Sequence, residues 1–93
     1  MDAEFISNTE NVLEEANRLI YGERSDEYGP ATNEFDKVSS MWSEIIGTTV
    51  TSVDVALCMV CLKIVRETYN PKRDNIVDAA GYLGLIEKLD RGE

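Results

Sequence analysis

Two helical patterns, one ending at Tyr69 and the next resuming by Asp74, are separated only by the turn around Asn70, Pro71, Lys72 and Arg73. Proline removes a backbone donor and stops the first helix, and so short a turn sends the second back antiparallel along it. A helical hairpin is therefore the largest element the chain must accommodate. Its first arm, the third helix of the chain, is predicted over 52–69, with Thr51 as cap and Asp54 at the positive end. Apolar residues run nearly all round this helix, which predicts a central position for it. The fourth helix is predicted over 74–90, with Asp74 as its cap.

Upstream, Val12, Leu13, Ala16, Leu19 and Ile20 form one helical stripe. With Ser7 and Glu10 as a capping box and Gly22 as the stop, the first helix is predicted over 8–21. The second is predicted over 30–46, where Pro30 suits the first helical position and Phe35, Val38, Met41, Trp42, Ile45 and Ile46 recur until Gly47. The expected fold is all-α, a compact bundle of four helices with the third and fourth as an antiparallel hairpin. The chain of 93 residues reads as a single domain, 1–93, with a poorly ordered N-terminus over 1–6. A domain of this size buries only about 60–65% of its unfolded surface, which favours a homo-oligomer.

Eighteen acidic residues against nine basic ones and no histidine give a net charge of −9. Direct nucleic-acid binding and attachment to an anionic membrane are accordingly not expected. The opening "MDAEFISNTE" has no positive segment followed by an apolar run, and the longest apolar run, Val55 to Leu62, falls far short of the roughly 20 residues that span a bilayer. A cytoplasmic location follows, in the host cytoplasm for a phage-encoded chain. Cys58 and Cys61 have C-x-x-C spacing but no flanking glycine, no histidine and no second cysteine pair, so they are expected to pack in the core.

Three features point beyond packing. In "YGERSDEYGP" the dipeptide Tyr-Gly occurs at 21–22 and 28–29, bracketing a charged connection containing Arg24, Asp26 and Glu27. Loops held on a rigid scaffold carry many binding residues. On the fourth helix Asp78 falls inside the apolar face, in line with Asp74, Tyr82 and Leu85, whereas Met59, Lys63 and Arg66 share a face of the third. A carboxylate removed from water needs a partner, and Lys63 or Arg66 is the one available across the hairpin. Finally, Val77, Ala80, Gly81 and Gly84 make a smooth stripe, suited to close approach by the first helix, by a symmetry mate or by a ligand.

Taken jointly, "LIYGERSDEYGPATNEFDKVSSMW", "DVALCMVCLKIVR" and "DNIVDAAGY" resemble a small all-α domain family of uncharacterised function found in bacteriophages and prophages. The resemblance spans about 13–87. It is carried by Gly22, Arg24, Tyr28 and Gly29, by Phe35 and Trp42, by Asp54, Lys63 and Arg66, and by Asp74, Asp78, Gly81 and Tyr82. It implies a viral origin and no established chemistry. More distantly, the fourth-helix motif is similar to the MazG-type nucleotide pyrophosphohydrolases, which hold Mg²⁺ between an E-x-x-E helix and an E-x-x-D helix. This chain departs from that pattern: its acidic pair is D-x-x-x-D and it contains no E-x-x-E.

The leading functional expectation is a phage-type protein binding a phosphate-containing small molecule, a nucleotide or a nucleotide-derived signal, in counter-defence or in control of host nucleotides. Arg24, Lys63 and Arg66 would meet phosphate, Asp78 and Tyr82 would orient them or the base, and Tyr21, Tyr28 or Tyr82 would stack on a base. Catalysis is not expected in this reading, and no cofactor is required. An alternative is a divergent Mg²⁺-dependent pyrophosphohydrolase using Asp74, Asp78 and an acid of the first helix such as Glu14. A third is an acidic interaction protein that mimics nucleic acid through Glu4, Glu10, Glu14, Glu15, Glu23, Asp26, Glu27 and Glu34.

Overall fold

The computed structural model describes residues 9–23 and 30–92. Four helices account for nearly all of them: α1 at Val12–Arg18, α2 at Ala31–Ile46, α3 at Ser52–Tyr69 and α4 at Arg73–Arg91. A π-helical turn, Leu19–Glu23, continues α1. No strand occurs among the described residues, so the all-α expectation holds.

Local chemistry explains most of the boundaries. At α3 the Thr51 side chain accepts from the Asp54 N–H while the Asp54 carboxylate accepts from the Thr51 N–H, a complete capping box. Helix α2 ends where Gly47 adopts a left-handed φ of 84°, which an L side chain resists. Ser43 at its last turn donates to the Ser39 carbonyl and accepts from the Val50 N–H, tying the following loop to α2. Two predicted caps are corrected. Helix α1 is capped by Asn11 with Glu14, not by Ser7 with Glu10; Glu10 instead pairs with Arg18 at 2.9 Å, and Ser7 lies outside the described residues. The cap position of α4 is Lys72 rather than Asp74, because Glu67 of α3 accepts from the Lys72 N–H at 3.0 Å and Asp74 is left in the first turn.

The hairpin is closed by the same Glu67. Its carboxylate also accepts from the buried Asn75 amide, which donates in addition to the Asn70 carbonyl. Hydrophobic packing then joins Ile20, Ala31, Phe35, Val55, Ala56 and Leu85 into one core, with Trp42 and Tyr82 against its edge. The central helix is α4, which packs against α1, α2 and α3, and not α3 as the sequence suggests. Only Val55, Ala56 and Val60 of α3 are buried. Among the described residues no other helix packs on the outer side of α3, where Leu57, Leu62, Ile64 and Val65 are exposed. Cys58 and Cys61 lie on that outer side, free and exposed, which overturns their expected place in the core.

The smooth stripe of α4 receives the end of α1. Ile20 lies over it: a Cβ added at Gly81 would sit 3.7 Å from Ile20 Cγ2, and one at Gly84 only 2.8 Å from Ile20 Cδ1. The two glycines therefore leave different room, a side chain at Gly84 requiring the end of Ile20 to move. Gly81→Ala gains helix propensity at an ordinary contact distance, for an expected stabilisation of about 0.5–1 kcal/mol. Gly84→Val drives a branched side chain into Ile20 and is expected to cost about 1–3 kcal/mol. Urea midpoints at constant m-value compare them directly.

Candidate functional site

The face shared by α3 and α4 holds most of the predicted site. Lys63 lies one turn beyond Val60 on the buried side of α3, and Asp78 lies one turn before Tyr82 on α4. Antiparallel packing brings Lys63 Nζ to 2.9 Å from Asp78 Oδ2. The expected ion pair across the hairpin is thus formed, and Lys63, not Arg66, is the partner.

Its burial is the reverse of the expectation. The Asp78 side chain is 40% exposed and the Lys63 side chain only 14%. A lysine can lay its aliphatic stem along an apolar groove and deliver the ammonium to the rim, which leaves the carboxylate open to water. At that exposure the pair contributes about 1 kcal/mol or less to stability. One turn further along α3, Arg66 is exposed, and among the described residues its guanidinium makes no ion pair. Asp74 is exposed in the first turn of α4.

Tyr82 is half-buried, its ring tilted 45° against Phe35 with centroids 6.3 Å apart, a favourable offset for two aromatic quadrupoles. One edge of the site is therefore anchored in the core. Arg24 and Tyr28, the loop members of the predicted set, lie outside the described residues. Among the described residues no group of three or more His, Cys, Asp or Glu is placed to hold a metal ion. Glu14, the α1 acid considered for metal binding, is engaged as the capping partner of Asn11.

Other acidic residues of α1 are likewise occupied: Glu15 pairs with Arg73, whose guanidinium also donates to the Glu10 carbonyl. Residue-level reasoning missed a second polar centre at the far end of α4. Lys88 is 6% exposed, donates from Nζ to the Ile20 carbonyl at 2.8 Å, and lies 4.8 Å from the centre of the Tyr21 ring. Arg91 donates to the Tyr21 hydroxyl at 3.1 Å. The signal was present, since Lys88 shares a helical face with Val77, Gly81 and Gly84, the face that meets α1.

The family described as "Domain of unknown function (DUF6378)" matches residues 11–90, the whole helical bundle. The chain belongs to this family. Curated relatives of this DUF6378 domain are the Gene 55 protein of Mycobacterium phage D29, 37% identical over 82 residues, and that of Mycobacterium phage L5, 35% identical over 85 residues. These alignments cover 87% and 89% of this chain and 54% of each relative, so the chain spans about half the length of the curated relatives it matches. No solved structure matches it. The DUF6378 domain is thus a phage-type helical module, in accord with the resemblance read from the sequence. No helix among its described residues is long and apolar enough to cross a membrane.

Proposed function

We propose that this domain binds a phosphate-bearing small molecule of the nucleotide class at the rim of the α3–α4 hairpin. The observation that carries the reading is the half-open Lys63–Asp78 pair with the exposed Arg66 one turn away. An ammonium has three donors and Asp78 engages one, which leaves others for phosphate oxygens. Arg66 adds a planar fork of five donors that suits bidentate phosphate recognition. Asp78 holds Lys63 at the rim, so that the cation is positioned before a ligand arrives. Tyr82 borders the same face and rests against Phe35, while the proposed roles of Arg24 and Tyr28 fall on residues outside those the structure describes. In a chain of net charge −9, such a local pair of cations is the feature that favours an anion.

The test is incubation with Mg²⁺ and a pool of linear and cyclic nucleotides, recovery by filtration, and mass spectrometry of what is retained and what is converted. An intact retained nucleotide is expected. Arg66→Glu should lower its affinity by roughly tenfold to a hundredfold, the loss of a charged hydrogen bond, with helicity by circular dichroism unchanged. Unchanged affinity in the folded variant removes Arg66 from the site, and an empty protein with an unchanged pool overturns the proposal. Metal-dependent conversion abolished by Asp78→Asn would favour the pyrophosphohydrolase alternative, with Asp74 and Asp78 sharing Mg²⁺ with phosphate oxygens and water.

A further inference from the structure

We infer that the outer face of α3 is the contact surface for a second copy of this chain, joined across a twofold axis near Cys61. Along α3 the exposed positions opposite α4 are Leu57, Cys58, Cys61, Leu62, Ile64 and Val65. Ile64 is 54% exposed and Val65 63%, and with their neighbours on α3 they form a contiguous apolar patch in place of scattered single side chains. No charged residue interrupts the stripe between Asp54 and Lys63, and Lys63 itself turns toward α4.

The pattern is self-complementary. With Cys61 as midpoint, antiparallel pairing sets Leu57 opposite Val65 and Cys58 opposite Ile64 of the other copy, and Asp54 opposite Thr68 at each polar end. Apolar positions therefore meet apolar ones, and the two α3 dipoles oppose each other favourably. Two chains of −9 repel wherever acidic surface meets acidic surface, so a charge-free face is where copies of this chain can associate. A basic partner would find a single acidic residue, Asp54 at one end of the stripe, to attract it.

The area agrees. Six side chains at these exposures present apolar surface on the order of 400 Å², which at the roughly 65% apolar share of homodimer interfaces corresponds to about 600 Å² on each copy. That is the lower end of what stable, specific dimers bury.

Sedimentation equilibrium on the purified chain should find twice the 10.4 kDa chain mass in the micromolar range. Val65→Glu places a charge in the stripe at a position that is exposed in the single chain, and should raise the dimer dissociation constant roughly a hundredfold or more with helicity retained. Leu13→Glu, at a 72% exposed position on α1, should leave the dimer intact. Under copper(II) phenanthroline, which accepts the two electrons as two thiols lose their protons, the Cys58→Ser variant should form a disulfide-linked dimer through Cys61. The Cys61→Ser variant should not, because the two Cys58 would lie about 9 Å apart along the helix axis, beyond disulfide reach. A monomer throughout this range, an oligomer indifferent to Val65→Glu, or cross-linking through Cys58 in place of Cys61 overturns the inference. None of these readouts involves a nucleotide, so they stand or fall separately from ligand binding.

Discussion

Phe35→Ala is expected to cost about 3–5 kcal/mol, the usual range for deleting a buried aromatic ring. A domain of this size has only about 5–10 kcal/mol in total, so the variant should be partly unfolded at physiological temperature. The reason is local. Phe35 is buried in the core with Ala31, Val55 and Leu85, and is the ring against which Tyr82 of α4 rests. The surrounding helices cannot collapse into the space without losing the contacts of Ala31 and Leu85. Urea denaturation should show a large fall in midpoint, and Phe35→Leu, which keeps most of the volume, should recover more than half of it. A loss below about 1.5 kcal/mol would mean that Phe35 sits in a site able to relax, and that the core is less well packed than its burial implies.

Lys88→Met is the second large effect, and its sign is the more informative. Methionine preserves the apolar stem along the α1–α4 contact but removes the ammonium. The Ile20 carbonyl then loses its side-chain donor, at about 1–3 kcal/mol, and the Tyr21 ring loses a cation–π contact of about 0.5–1 kcal/mol. The expected net change is a destabilisation of about 2 kcal/mol, or roughly 10 °C in thermal midpoint for a domain of this length. The opposing term is the cost of stripping water from the ammonium, which methionine never bears. An unchanged or raised midpoint would show that this term dominates, and that Lys88 orders the π-helical turn without stabilising the fold.

The two residues differ in how far the sequence reveals them. Phe35 declares itself through its spacing to Val38 and Trp42, a helical apolar stripe bounded by Pro30 and Gly47, so its place in the core is legible from period and punctuation. Lys88 looks like any lysine near a helix C-terminus. Its burial depends on the π-helical turn that presents the Ile20 carbonyl, and nothing in "LIYGE" marks that turn. The caps show a related limit. Thr51 with Asp54 was legible, whereas Ser7 with Glu10 was expected at the first helix and the structure uses Asn11 with Glu14, one turn later. The Glu10–Arg18 pair accompanies the Asn11 cap.

The candidate site was legible to the same degree. Helical phase put Lys63 and Asp78 on facing sides of the hairpin, and they meet. Phase alone cannot say how deep each lies, because depth depends on which neighbours cover the rim. Asp78, read as the buried partner, is the open one.

By itself, the sequence determined the four helices, their order, the hairpin turn and the residues able to meet across it, because helical period, caps and breakers act over a few neighbouring residues. Only the tertiary structure decided that α4 and not α3 is central. A continuous apolar surface says that a helix can be covered on all sides, whereas coverage depends on how many helices there are to do it. Among the described residues the other helices all pack on one side of α3 and leave its outer side bare, with Cys58 and Cys61 upon it.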